Sequence, residues 1–263
     1  MTTQIKIAIM DMDSIAYTVG HGNKIQIDEV DGEPVYQRDE LGRLVYIDKS
    51  EEQLIESCNF VIGDILNKGG FTHYVGYIKG VNTISHKLNF NPTYKQDRKL
   101  EQPKWWNFVK SYLVNNYNIF LANDFEVDDY VVSAYKCIPN SHIVAIDSDI
   151  LATTGTHYNW RKNEWVTITE DQERYAFWSQ MITGNHNNIK GLAKKGPKYA
   201  ENVLKGIDIF KDNIASIMLT EYIDHYKDVT LAIDEYYKNY KSLKVIDNII
   251  VDNNVVKEWG FDL

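Results

Sequence analysis

The stretch from Asp124 to Asp149, DFEVDDYVVSAYKCIPNSHIVAIDSD, constrains the fold most, because it sets acids at a helix start and again at a strand end. Glu126-Val127-Asp128-Asp129 opens an apolar pattern at Val131, Val132, Ala134 and Tyr135 with the spacing of an amphipathic helix. Its carboxylates therefore fall in a first helical turn, where the macrodipole tolerates negative charge, and Asp124 is the expected cap. His142-Ile143-Val144-Ala145-Ile146 is a continuous apolar run of the kind that forms a buried parallel strand. Asp147 and Asp149 then stand at its C-terminal end, the edge of an open parallel sheet where ligands bind. A lone acidic pair at a helix start is ordinarily a cap. Carboxylates converging from several elements repel one another, and a hard divalent cation with oxygen ligands, above all magnesium, relieves that repulsion.

The N-terminal part supplies a second acid-tipped strand. Ile5-Lys6-Ile7-Ala8-Ile9-Met10 reads as strand and runs into Asp11-Met12-Asp13-Ser14, with Asp13 expected to cap the short helix that follows. From Lys24 to Asp48 the sequence alternates around Asp31-Gly32 and Leu41-Gly42, the pattern of a β-hairpin insertion with no visible chemistry. Glu51 to Asn67 is an amphipathic helix, and Thr72 to Ile78 is the next strand. Strand, helix, strand in that order implies a parallel sheet.

The 263 residues, 44% hydrophobic and 25% charged, suffice for one large domain or a domain with an appendage. A formal charge of −9 excludes a protein that coats nucleic acid by bulk charge, while leaving room for a local basic path. Cys58 and Cys137 have neither disulfide-framework nor zinc-like spacing. No apolar run reaches membrane-spanning length and no export signal pattern opens the chain, so the expected location is cytoplasmic. Basic residues concentrate in two places. Between 86 and 112, Lys87, Lys95, Arg98, Lys99, Lys104 and Lys110 alternate with Phe90, Tyr94, Trp105, Trp106 and Phe108, either as a solvated helix face over core aromatics or as a surface for phosphates and unpaired bases. Lys190, Lys194, Lys195, Lys198 and Lys205 surround Gly191, Gly196 and Pro197, where backbone amides can approach a phosphate at a helix start.

Taken in order, Asp11 after the first strand, PTYKQDRK at 92 to 99, EVDD at 126 to 129, DSD at 147 to 149 and GNHNNIKGLAKKGPKYA at 184 to 200 resemble the bacteriophage and bacterial 5′-nucleases of the flap endonuclease family. The resemblance covers most of the chain, apart from the 24 to 48 hairpin and the tail after about 210. It implies an α/β fold: a PIN-like, mostly parallel central sheet flanked by helices, spanning residues 1 to 174 with a basic arch near 86 to 112. Residues 175 to 263 are then a helical subdomain with a helix-three-turn-helix element at about 184 to 205. It further implies that Asp11, Glu126, Asp128 and Asp129 surround a first Mg2+ (Mn2+ substituting), with Asp147 and Asp149 as acids of a second. Lys95 and Arg98 are the implied catalytic cations at the scissile phosphate, and Tyr94 the ring under a terminal base. Lys99, Gly191, Lys194, Lys195, Gly196, Pro197 and Lys198 are the implied DNA contacts, with K+ at the helix-three-turn-helix. The implied reaction is metal-assisted hydrolysis of DNA near 5′ ends, flaps or branches by a monomer serving phage replication.

The sequence departs from the family at the second ion. Where relatives carry two aspartates in a GDxxDN-like motif, this chain reads Gly184-Asn185-His186-Asn187-Asn188, and an Asn carbonyl can ligate a hard ion but brings no charge. Tyr77-Ile78-Lys79-Gly80 stands where many relatives place an acid. His186 reads as a hydrogen-bonding loop residue rather than a ligand. Two further function classes stay open: a protein that grips branched or 5′-ended DNA without cutting it, and a PIN-type ribonuclease. No Walker-type glycine loop is present, which argues against a kinase. The later apolar residues, including Tyr222, Tyr226, Tyr236 and Tyr240, read as the packing stripe of a mostly helical C-terminal part.

Overall fold

Strand β1 (Ile7–Asp11) is buried along its whole length, as a strand with helices on both faces must be. The computed structural model describes residues 5–31, 33–97, 102–208, 213–252 and 256–259. Within them β1 lies between β6 (His73–Lys79) and β8 (Ser141–Ala145), parallel to both, with Met10 opposite Gly76 and Val144. Strand β7 (Ile119–Ala122) extends the parallel array beyond β6, and β9 (Gly155–Asn159) extends it beyond β8, while β10 (Glu164–Ile168) closes that side antiparallel. The expected hairpin insertion forms two small antiparallel pairs, β2 (Asn23–Lys24) with β5 (Tyr46–Ile47) and β3 (Gln26–Val30) with β4 (Glu33–Tyr36).

Side chains alternate across the pleat, so β1 feeds two cores. Ala8 and Met10 join the cluster made with α1 (Met12–Gly20), α2 (Glu51–Gly69) and α4 (Trp106–Asn116). Ile7 and Ile9 join the cluster on the other face, made with α5 (Val127–Cys137) and α6 (Ser148–Leu151). Helix α2 is bounded by chemistry legible in its sequence: Ser50 and Gln53 form a reciprocal capping box, and Gly70 takes the left-handed conformation at the far end. The short α3 (Ser85–Leu88) lies in the connection after β6. A third core joins α7 (Glu170–Thr183), α8 (Pro197–Leu204), α9 (Ile214–Tyr226) and α10 (Val229–Leu243).

The mostly helical C-terminal reading fails after Leu243. The chain returns to the sheet: Ile246 N–H donates to Asp129 Oδ1 at 2.7 Å, Ser133 Oγ donates to Ile246 O at 3.2 Å, and β11 (Lys257–Glu258) pairs antiparallel with the start of β6. Two needs drive this return. Asp129 and Ser133 are buried polar groups that require partners, and the part of the β6 edge that β7 leaves open would otherwise be exposed.

Candidate active site

Asp11 ends β1 and accepts a hydrogen bond from Asp13 N–H at 3.0 Å, so it caps α1. Asp147 follows β8 and accepts from Asp149 N–H at 2.9 Å, so it caps α6 in the same way. Asp13 does not cap, contrary to expectation: its Oδ1 accepts the Lys79 N–H at 2.8 Å, tying the start of α1 to the end of β6. Asp124 does not cap α5 either. It takes a left-handed conformation, φ 65°, and Glu126 occupies the N-cap, which brings Asp128 and Asp129 into the first turn.

Asp11, Asp128 and Asp147 meet in one electrostatic neighbourhood at the C-terminal edge of the parallel strands. Burial first, then the charges of Asp13 and Asp147, raise the Asp11 carboxyl to about 7. Burial, followed by Glu126, pushes Asp128 well above the usual carboxylate range, and Asp147 and Asp11 add to the effect against the opposing pull of Lys95. Burial also raises Asp13, tempered by its hydrogen bond to the Lys79 backbone and by Lys79, Lys110 and Lys95.

Glu126 and Asp129 are engaged elsewhere. Lys87, only 4% exposed, places its ammonium 2.6 Å from Glu126 Oε2; Tyr94 OH donates to the same oxygen at 3.0 Å, and Lys95 pairs with Oε1. Burial works to raise the Glu126 carboxyl, but the two ammonium groups outweigh it and hold it near 2. The Lys87 ammonium is likewise held above its ordinary value: burial opposes, and Glu126, Asp129 and Asp128 prevail. Asp129 is fully buried and accepts backbone N–H groups on both oxygens, from Ile246 at 2.7 Å and Glu126 at 3.1 Å. It anchors the returning tail while lying in the field of Glu126 and Lys87, with His86 Nε2 3.7 Å from its Oδ2.

The terminal-base role implied for Tyr94 is corrected as well. Its ring is 4% exposed and lies against Lys87 and Lys95, so it offers no open face for stacking. Of the other rings in the 86 to 112 stretch, Trp106 is buried, Trp105 and Phe108 are half-buried against the same core as Trp106, and the half-buried Phe90 lies under Lys241 outside it. Arg98 and Lys99 lie outside the described residues.

The Asn-bearing loop docks on the 93 to 97 turn. Lys95 N–H donates to Asn187 O at 3.1 Å, and Asn188 Nδ2 donates to Thr93 O at 2.9 Å and Asp97 Oδ2 at 3.0 Å. A cavity of about 410 Å³ results, with Lys87, Tyr94, Asp128, Asp149, Asn185 and Asn187 in its wall. Asn185 Oδ1 accepts from Asn187 N–H at 2.9 Å, whereas the buried Asn187 Oδ1 has no hydrogen-bond partner among the described residues. Asp149 is half-buried and takes a 3.4 Å hydrogen bond from Gln180 Nε2. His186 is exposed.

Beyond this loop the chain turns sharply into α8. Gly191 has φ 57°, and a Cβ there would lie 2.4 Å from both Gly184 N and Ile182 O, so only glycine fits. Gly196 is the N-cap and Pro197 opens the helix, the position where its missing N–H costs nothing. Lys194 and Lys198 are exposed around this turn, and Lys195 sits 3.8 Å over the Tyr199 ring.

Solved structures share this arrangement of strands and helices. A bacteriophage T5 protein co-crystallised with metal ions superposes with a TM-score of 0.65 at 11% identity, over 92% of this chain and 90% of its own. The bacteriophage T5 flap endonuclease, in a pseudo-enzyme–product complex with DNA and metal ions, gives 0.64 at 12% identity, over 92% of this chain and 89% of its own. T5 5′-exonuclease with zinc bound gives 0.62 at 12% identity, over 92% and 90%. The chain has the T5 5′-nuclease fold. No protein-family profile and no curated protein sequence matches it.

On this T5-type fold, the donor set around Asp11 suits a hard divalent ion, since every candidate ligand is a carboxylate or amide oxygen. Among the described residues, no three His, Cys, Asp or Glu side chains are gathered closely enough to hold an ion as they stand. The elevation of both Asp11 and Asp128, to which burial contributes most and to which the charge of Asp147 adds in each case, is the observation that fits a cation: carboxylates so placed resist ionising unless positive charge joins them. Three lysines near the acids were missed as partners from sequence. Lys79 and Lys110 face Asp13 from β6 and α4, and Lys87 reaches Glu126 across 39 residues of chain. Lys79 could have been found from its place at the end of a strand beside an acid-tipped one. Lys87 gave no such signal.

Proposed function

We propose that this chain is a structure-specific 5′-nuclease, a 5′–3′ exonuclease and flap endonuclease of the flap endonuclease family that hydrolyses DNA phosphodiesters with magnesium, or manganese in its place. The observation that carries the reading is the meeting of Asp11, Asp128 and Asp147 at the C-terminal edge of the parallel sheet, where the charge of Asp147 raises the proton affinity of both Asp11 and Asp128 and that of Asp11 raises Asp128 further. The T5-type fold supports it, because the T5 flap endonuclease with that fold was captured with DNA and metal ions.

In this reading Asp11, Asp128, Asp147 and Asp149 hold the metal, and Asn185 and Asn187 contribute neutral oxygens only. The chemistry that a bound divalent ion supplies is activation of the attacking water and neutralisation of charge on the phosphate. Lys95 and Arg98 stabilise the scissile phosphate as charge develops on it. The α7–α8 turn, with Lys194, Lys195 and Lys198 around Gly191 and Gly196, holds the uncut duplex by its phosphates with a K+ ion at the turn. The protein acts as a monomer in an infected bacterial cell, removing 5′ ends and flaps during phage DNA replication.

A second reading is favoured by one specific feature. Neutral Asn185 and Asn187, together with a Glu126 already paired to two lysines, also suit a protein that grips 5′ ends without cutting. An end-labelled 5′-flap assay in magnesium and in manganese separates the two, comparing this chain with an Asn185→Asp, Asn187→Asp variant. The nuclease reading expects slow cutting by the wild type and a gain of orders of magnitude in the variant. Binding with no product from either chain selects the gripping protein, and product from an RNA strand alone selects a PIN-type ribonuclease.

A further inference from the structure

Lys87 is a buried cation inside a centre whose expected cation is divalent. Its ammonium is 2.6 Å from Glu126 Oε2 and 3.5 Å from Tyr94 OH, and it shares a cavity wall with Asp128, Asp149, Asn185 and Asn187. Burying an ammonium is costly unless a carboxylate accompanies it, and Glu126, itself 5% exposed, does so. Lys95 pairs with the other Glu126 oxygen, so that carboxylate is neutralised from within the chain.

The Asn-bearing part of the cavity wall matches this charge count. Where the resemblance places the two aspartates of a second divalent ion this chain has the neutral Asn185 and Asn187, which leaves Asp149, of the implied second-ion acids, in that wall. An added ion of charge +2 in the cavity would also be repelled by the ammonium fixed in its wall, in surroundings that screen poorly. The buried, unpartnered Asn187 Oδ1 in the cavity wall marks a place for a donor or a weakly held cation rather than for a tightly bound divalent one.

We propose that Lys87 is a resident cation of the acidic centre, supplying from the protein the positive charge that a second divalent ion would bring, so that the chain binds one divalent ion tightly. The inference rests on the nuclease reading for its setting, while its test does not depend on cutting. Lys87 acts through Glu126 and through the field of the cavity, and is therefore a positioning residue.

The test counts Mn2+ ions bound per chain, by paramagnetic resonance of the free ion, for the wild type, Lys87→Gln and Lys87→Arg. One tight ion is expected in the wild type and in Lys87→Arg. Lys87→Gln is expected to take up a second ion at least tenfold more tightly than any weak second binding in the wild type. A Lys87→Gln titration that overlays the wild type overturns the inference, as do two ions of comparable affinity in the wild type. Should Lys87→Gln fail to fold, two ions of comparable affinity in the wild type still overturn the inference. The expected counts without any flap cleavage would leave the inference standing and sink the nuclease reading. Two comparable ions with brisk cleavage would do the reverse, and no bound ion in either chain would sink both.

Discussion

Asp11 and Asp147 make the same contact at the ends of adjacent parallel strands: each accepts the backbone N–H two residues on, at 3.0 and 2.9 Å, and so caps the helix that follows. The repeated Asp-x-Asp sequence thus builds one device twice, side by side. Each cap fixes a carboxylate at the sheet edge, and the first turn of α5 adds Asp128 within their electrostatic reach. The result is a cluster of acids held by backbone geometry rather than by flexible side chains.

Replacing Asp128 with Asn removes a charge from that cluster while keeping its shape. Flap cleavage in magnesium is expected to fall by more than the roughly 10–100-fold typical of groups that only support a metal ligand. Thermal stability in EDTA is expected to rise, because one source of mutual repulsion is gone. Single-turnover cleavage and a thermal melt on the same preparation check both halves.

The pH dependence of stability follows from Asp11. Its folded carboxyl is raised to about 7, so between the ordinary carboxylate range and that value the folded state binds more protons than the unfolded one. Metal-free stability is therefore expected to increase as pH falls from about 8 to about 5. Glu126 works the other way: held near 2 in the fold, it adds stability above its ordinary range that is lost as pH falls toward that value. Calorimetric melts in EDTA should show a higher midpoint at the mildly acidic end, and magnesium should raise the midpoint most at the alkaline end.

Tyr94→Phe keeps the ring and deletes the donor to Glu126. A hydrogen bond to a charged acceptor contributes about 1.5–3 kcal/mol, so urea unfolding should show a loss of about that size. Affinity for a 5′-ended strand should not change, since the buried ring makes no stacking platform. A large loss of end binding with stability intact would restore the stacking role.

Gly191→Ala forces a side chain into a left-handed position and against the backbone of Gly184 and Ile182. The expected cost exceeds about 1 kcal/mol, beyond what the lost flexibility of the unfolded chain returns. Duplex affinity, read by fluorescence anisotropy, should drop with it, and its salt dependence should remain steep because Lys194 and Lys198 are unchanged.

Much of this centre was legible in the sequence for a local reason. An apolar run ending in acid is visible residue by residue, and so Asp11, Asp147 and the α5 acids could be named before any coordinates. The mostly parallel sheet followed from the alternation of strand and helix. What was not legible depends on distant meetings. The Lys87–Glu126 pair joins segments that share no pattern, and Asp129 gains a backbone donor only because the tail after Leu243 returns to it. The aromatic residues of the 86 to 112 stretch looked equally suited to core and to DNA, and it is burial, seen at Tyr94 and Trp106, that separates those uses.

The most direct measurement is single-turnover cutting of an end-labelled 5′-flap substrate by the wild type and by Asp11→Asn, each with magnesium and with EDTA. A released flap fragment is expected only from the wild type with magnesium, with substrate binding retained by both chains. Product from Asp11→Asn at the wild-type rate, or from the wild type in EDTA, would mean that the acids at the sheet edge are not where the phosphodiester is cut.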